Sequence, residues 1–216
     1  MKPLILLNFK TYPEAAGKKA LALARKLEKV RSTKYDLVLA PSLLTAKDVA
    51  EKTALAVFSQ HADLAELGAY TGKIPVEELK MIGVKGTILN HSERKIPLPI
   101  LRKIVLLCKK HKLATVVCAS SLAEAKLVAA LTPEYLAYEP PELIGGNISV
   151  TKAKPEIIVK AVRIVKKISP KTKVLCGAGV RSKDDVLGAP NAPGLGLLHQ
   201  NRLWFAPAHL EVHVGN

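Results

Sequence analysis

Ala114-Thr115-Val116-Val117-Cys118 is a strand-length run with almost nothing polar in it, and Leu4-Ile5-Leu6-Leu7 and Leu37-Val38-Leu39-Ala40 repeat the pattern. A strand that faces water on one side alternates apolar and polar residues, because successive side chains point to opposite faces. Runs that are apolar throughout are buried on both faces, as in a parallel sheet covered by helices. Further runs begin near Ala56, Gly86, Tyr135, Val174 and Leu195, each followed by a polar or Gly-containing turn and a segment of helical period. Eight such units in 216 residues leave about 27 residues each, enough for a strand, a short helix and two tight loops. The expected fold is α/β, a compact (β/α)8 barrel forming a single domain over residues 1–216, with an atypical ending over 187–216.

Two helices are legible in detail. Ala15 to Val30 places Ala16, Ala20, Leu23, Ala24 and Leu27 on one stripe, and Pro155 to Ile168 does the same with Ile158, Val162 and Val165. Pro155 suits a first helical turn, where its missing N–H is not needed.

Composition narrows the function classes. Hydrophobic residues are 49% of the chain and charged residues 24%, so there is apolar surface enough to build a core and disorder is excluded. The apolar run at Leu4 is closed by Asn8, Phe9 and Lys10, too short for a signal peptide or for a membrane span of ~18 residues. A soluble cytoplasmic protein with no membrane partner is expected. Cys108, Cys118 and Cys176 are odd in number and scattered, which reads as reduced structural thiols without a metal. With 33 Lys+Arg against 18 Asp+Glu the net charge is +15, a balance that suits nucleic-acid binding. Against that reading, Lys18, Lys19, Arg25, Lys26 and Lys29 alternate with Ala and Leu as on a solvated helix face, and aromatic residues are only 4%, few for base stacking. No nucleic-acid partner is expected, and the positive surface suits the steering of a small anion instead.

In a barrel of this kind the chemistry gathers at the C-terminal ends of the strands. The first run ends in Asn8 and Lys10, the third in Gln60 and His61, the fourth in Asn90, His91, Ser92 and Glu93, the sixth in Glu139, and the seventh in Gly177-Ala178-Gly179. Lys10 is placed to face an anionic oxygen. His91 precedes Ser92-Glu93, which reads as the first turn of a short helix, whose N–H groups disfavour an imidazolium. Glu139 stands at the end of an apolar strand, where loss of water raises its basicity, and Pro140-Pro141 stiffen the chain beyond it. Glu142 to Asn147 reads as an apolar-tipped lid between a stiff hinge and a glycine hinge. The glycines at 177 and 179 let backbone N–H groups approach a phosphate. Singly, each residue has a plain structural alternative: a surface lysine, a packed histidine, a salt-bridged glutamate, a turn glycine.

Together they carry a resemblance. Asn8-Phe9-Lys10-Thr11-Tyr12, Gln60-His61-Ala62-Asp63 with Gly68-Ala69-Tyr70-Thr71-Gly72, Leu89 to Arg94, Tyr138 to Gly145 and Cys176-Gly177-Ala178-Gly179 occur in this order, and over residues 1–186 the chain resembles the triosephosphate isomerase family in its compact archaeal form. The resemblance implies interconversion of dihydroxyacetone phosphate and glyceraldehyde 3-phosphate without cofactor or metal. It implies Glu139 as the base, His91 as a neutral electrophile and Lys10 as the cation at the enediolate, roles that are the family's and come with the resemblance. It also implies that Asn8 positions oxygen, that Glu93 is a buried carboxylate beside Lys10, and that Ile144, Gly145 and Gly179 bind the substrate and its phosphate. Gly68 to Gly72 corresponds to a loop inserted into a neighbouring subunit, with Thr71 reaching the partner's site, so a homodimer or homotetramer is implied.

Two departures stand out. The lid hinge reads Gly145-Gly146-Asn147, where the family often has Gly-Thr-Gly. After Val186 the family's helix, glycine-rich strand and basic helix give way to a stretch with Pro190, Pro193 and Pro207. Leu195 to Leu198 still reads as an eighth strand, but the eighth phosphate loop has no counterpart. Either the gene's reading frame alters after about Val186, with weaker substrate binding and stability, or the ending is unusual and functional. A non-catalytic or impaired sugar-phosphate-binding barrel is the alternative to the isomerase.

Overall fold

The computed structural model describes residues 4–30, 33, 35–140, 155–176 and 195–199. Strands β1 (Leu4–Asn8), β2 (Asp36–Ala40), β3 (Ala56–Ser59), β4 (Gly86–Leu89), β5 (Ala114–Ala119), β6 (Tyr135–Tyr138), β7 (Lys173–Cys176) and β8 (Leu195–His199) pair in sequence order, all parallel. The ring closes where β8 pairs with β1, at Ile5↔Leu197, Leu6↔Leu198 and Leu7↔His199. Helices α1 (Lys18–Lys29), α2 (Leu43–Lys52), α3 (Val76–Met81), α4 (Leu98–Lys110), α5 (Leu122–Ala129) and α6 (Pro155–Ile168) follow β1 to β6 in turn. The barrel expected from the apolar runs is the barrel found, and Leu195 to Leu198 lie in its eighth strand.

The two faces of the strands build two separate cores. Leu4, Leu6, Val38, Ala40, Ile88, Val116 and Ala137 belong to a cluster that no described helical residue joins, so it fills the barrel interior. The alternate residues, among them Ile5, Leu7, Leu37, Leu39, Val117 and Leu136, pack against Ala24, Leu27, Val49, Leu79, Leu101 and Val165 of the helices. This period-two division explains why the runs are apolar at every position. Each fully buried Leu contributes about 1.5–3 kcal/mol relative to an exposed one.

One layer of the interior depends on a missing side chain. Gly86 pairs with Phe58 across β3 and β4, and a Cβ at Gly86 would meet the Phe58 ring carbons at 2.5–2.7 Å. Gly86→Ala forces the ring out of its place. An expected loss of about 1–3 kcal/mol is read as a lower thermal midpoint in calorimetry, and an unchanged midpoint would contradict this account of the packing.

Helix α1 starts later than its apolar stripe suggests. Pro13–Ala15 form a separate 3-10 turn, and Gly17 at φ 53° breaks the path, so Ala16 lies outside the helix and is exposed while Ala20, Ala24 and Leu27 are buried. Helix α6 has the expected bounds, with Ile158 and Val165 buried. Cys108, Cys118 and Cys176 are buried free thiols, as expected. No helix among the described residues is long and apolar enough to cross a membrane.

Candidate active site

The C-terminal strand ends bring Asn8, His91 and Glu139 to one mouth of the barrel, and all three are buried. Lys10 joins them through an unusual backbone. Its φ of 48° is left-handed, which a residue with a Cβ adopts only when its surroundings hold it there. Two bonds do so: the Lys10 N–H donates to Asn8 Oδ1 at 3.0 Å, and the Lys10 carbonyl accepts from Gln60 Nε2 at 3.0 Å. Gln60 donates equally to the Ala40 carbonyl at 3.0 Å, joining the ends of β1, β2 and β3. Sequence reading found Gln60 among the polar strand ends but not this bridging role, which has no local signature.

The Lys10 ammonium donates to Glu93 Oε1 at 2.7 Å. The pairing is as the resemblance implies, but the burial is not: the Glu93 side chain is 61% exposed. It stands on the rim, on a turn closed by the Arg94 N–H donating to the His91 carbonyl at 2.9 Å. The helical first turn expected at Ser92-Glu93 is also absent, since α4 begins only at Leu98. A single amide does the work assigned to a helix end. The Glu93 N–H donates to His91 Nδ1 at 3.1 Å, so that nitrogen keeps its lone pair and the ring proton sits on Nε2. Glu93 Oε2 lies farther from Nδ1, at 3.6 Å, and the closer amide decides the tautomer.

Glu139 follows β6, and its backbone N–H donates to the Ala119 carbonyl of β5 at 2.9 Å. Burial pushes its carboxyl from the ordinary 4.5 up to about 8, a rise opposed by a hydrogen bond with the Cys118 thiol and by the charges of Lys10 and Lys95, and aided by Glu93. Burial and the neighbouring Glu139 in turn push the Cys118 thiol well above its usual range, and Cys176 is pushed up to about 12 for the same reasons. Neither thiol is a nucleophile at neutral pH; both line the carboxyl's pocket. A carboxyl near 8 is close to balanced between acid and base at working pH, as proton transfer in both directions demands.

The polar residues after β3 turn out to be scaffolding. Asp63 accepts the Ile74 N–H at 2.9 Å and lies 3.4 Å from His61, 3.6 Å from Lys73 and 3.8 Å from Arg94. Burial, with Arg94 close by, pushes His61 down. This cluster pins the segment that presents Thr71, which is exposed on the rim side. Ile144, Gly145 and Gly179, with the lid over Glu142 to Asn147 and the endings 187–194 and 200–216, lie outside the described residues. A cleft of about 840 Å³ opens at the other end of the barrel. Its lining residues Lys109 and Lys112 stand at the C-terminal end of α4, where cations answer free carbonyls, and the groups described above are not in it.

The described mouth therefore joins a buried carboxyl, an imidazole with its proton turned away from the rim amide, and a cation paired with Glu93 on the rim. Comparison with known proteins agrees. The family model described as triosephosphate isomerase matches residues 3–196, reaching β8 and passing Val186, where the motif reading loses the family's pattern. The chain is 41% identical to the triosephosphate isomerase of Methanothermus fervidus over 187 residues, 86% of this chain and 84% of that one. It is 40% identical to the enzyme of Methanocaldococcus jannaschii over 196 residues, 90% of each, and 37% identical to that of Methanobrevibacter smithii over 197 residues, 91% of this chain and 89% of the other. With that extent of match, and with Lys10, His91 and Glu139 on the strand ends of a closed eight-stranded barrel, the chain belongs to the triosephosphate isomerase family.

Proposed function

We propose that Glu139 moves the proton, His91 polarises the carbonyl and Lys10 faces the developing negative charge in the interconversion of dihydroxyacetone phosphate and D-glyceraldehyde 3-phosphate. The Glu139 carboxylate takes a proton from the carbon beside the carbonyl. The C–H electron pair becomes the double bond of an enediolate, and the carbonyl pair moves onto oxygen. There the His91 Nε2–H donates a hydrogen bond, and the Lys10 ammonium, directed by Glu93, opposes the charge. Asn8, bonded to the Lys10 N–H, keeps the cation in register. Glu139 then returns the proton to the neighbouring carbon while the two oxygens exchange theirs through His91, so the steps balance within one substrate molecule. Ile144, Gly145 and Gly179 are proposed to hold the substrate and its phosphate, on the strength of the family's motifs.

The observation that carries this reading is a fully buried carboxyl held near 8 at the same barrel mouth as a histidine fixed in one tautomer. A barrel that merely binds sugar phosphates has no use for either. The test is a coupled assay of purified chain with glyceraldehyde 3-phosphate. Isomerisation far above buffer is expected, and a rate no higher than buffer would return the reading to the non-catalytic binder.

The working unit is proposed to be a cytoplasmic homodimer or homotetramer. Leu44, in the first turn of α2, is 95% exposed, and Leu67 and Tyr70, on the loop after β3 that carries Thr71, are about half exposed. Apolar side chains so presented suit a second copy of the chain. Light scattering at assay concentration tests this, and a fully active monomer would overturn it.

A further inference from the structure

The turn carrying His91 and Glu93 is tied at both ends to one carboxylate that stands outside the reacting groups. At its start, Asn90 Nδ2 donates to Glu124 Oε1 at 2.7 Å and to the Cys118 carbonyl at 2.9 Å, while Asn90 Oδ1 accepts the Ile96 N–H at 3.0 Å. At its end, Lys95 Nζ donates to both Glu124 oxygens, at 2.9 and 3.0 Å. The same carboxylate accepts the Ser120 N–H at 2.7 Å and the Ser120 hydroxyl at 2.6 Å.

Sequence offers a simpler reason for Glu124. Ser121-Leu122-Ala123-Glu124 has the spacing of a capping box, and Ser121 Oγ does accept the Glu124 N–H at 3.1 Å. In such a box the glutamate turns back to the amide of the capping residue itself. Here it reaches past the cap to Ser120, and outward to two residues that bracket His91. Helix capping requires neither Asn90 nor Lys95.

The bracketed turn needs outside support. Asn90 has φ 56°, a left-handed conformation that costs energy in any residue with a Cβ, and its side chain is bonded in three directions. Glu93 is largely exposed, so packing does little to fix its position, yet its N–H sets the His91 tautomer and its carboxylate directs Lys10. We propose that Glu124 is a positioning residue for the isomerase reaction: by gripping Asn90 and Lys95 it fixes the turn so that the Glu93 amide stays on His91 Nδ1 and the Glu93 carboxylate stays on Lys10. The proposal rests on the assignment of His91 as the electrophile. Burial would push the Glu124 acid up, but Ser120, Lys95 and Asn90 outweigh it and hold it down to about 2, so the grip is a permanent anion at any working pH.

The test uses the full chain in two variants. Glu124→Gln keeps the size of the side chain and one acceptor but not the charge on Lys95. Asn90→Gly accepts the left-handed backbone without strain and removes only the side-chain link. Both are expected to lower kcat roughly 10- to 100-fold, as small misplacements of reacting groups do, with KM changed less than about twofold. Nitrogen-15 spectra should show the His91 ring leaving its single tautomer for a mixture. Glu124→Asp, which keeps the charge on a shorter stem, should recover part of kcat. Ser121→Ala, which loosens the start of α5 without touching Asn90 or Lys95, should lower the thermal midpoint and leave kcat unchanged. A wild-type kcat in Asn90→Gly overturns the proposal even if Glu124→Gln fails to fold, and so does a fall in kcat with the His91 signals unmoved. Failure of the underlying assignment has a different mark, since His91→Gln would then be as active as the wild type.

Discussion

Glu139→Gln is expected to lower kcat about 10³-fold, the middle of the range for loss of a positioned base, while binding of substrate is retained. Gln has the shape of the protonated acid and cannot take a proton from carbon. The pH dependence follows from the carboxyl's value of about 8. In the free enzyme the base is ionised only above that value, so kcat/KM of the wild type falls as pH drops below about 8. Stability runs the other way. Between 4.5 and about 8 the folded protein holds on Glu139 a proton that the unfolded chain has released. The stabilisation this represents is complete below pH 4.5 and is lost as pH rises through about 8, a change on the order of 5 kcal/mol. Gln does not ionise and keeps it. The variant should therefore be nearly inactive yet more heat-stable than the wild type at pH 8, and equal to it near pH 4. Steady-state kinetics and calorimetry at the two pH values decide the matter; an active variant would remove Glu139 from the chemistry, and equal midpoints at pH 8 would show that the carboxylate is not buried at a cost.

Lys10→Met is expected to lower kcat/KM roughly 100-fold, the effect of about 3 kcal/mol lost when one preorganised donor no longer faces an oxyanion. The fold should hardly notice. The left-handed backbone at Lys10 is held through its own N–H and carbonyl, by Asn8 and Gln60, and Met offers both. Glu93, 61% exposed, is rehydrated when its partner goes, so stability should move by about 1 kcal/mol or less. A second signature separates charge from packing. The Lys10 charge holds the Glu139 carboxyl down, so its removal should shift the acid limb of the rate profile to higher pH. Near-normal kinetics, or an unshifted limb, would deny the cation its role.

Much of this arrangement is legible in the chain because it repeats. Apolar runs at a regular spacing state both the strands and the fact that each has two buried faces, and the polar residues that end those runs mark the barrel mouth. Lys10, His91 and Glu139 are read correctly to that place for this reason. What escapes the sequence is held by bonds between distant segments: Gln60 to the Lys10 carbonyl, Asn90 to Glu124, and the Cys118 thiol to Glu139. Such bonds follow no period, since each joins segments that only the folded barrel brings together. Glu93 shows the converse. Its partner is read correctly and its burial is not, because exposure depends on what else covers the rim. The start of α1 is misread for a local reason, as an apolar stripe says nothing of the left-handed turn at Gly17.

The seam between β1 and β8 has a consequence for synthesis. β1 leaves the ribosome about 190 residues before its partner on one side, which is made only when residues 195–199 have been added. At 5–20 residues per second that interval is roughly ten to forty seconds. For all of it, one edge of the nascent sheet is an unpaired row of amides and carbonyls beside a strongly apolar strand, open to the wrong neighbour. Asn8 ends the strand at that edge, while Lys10 is held from the other side, by Gln60 and Glu93, so the unpaired edge runs beside the site without holding it. A barrel that lacks β8 is an open ring with β1 and β7 unpaired on facing edges, and a chaperone that shields β1 until β8 arrives would act on yield and leave the kinetics of finished molecules untouched.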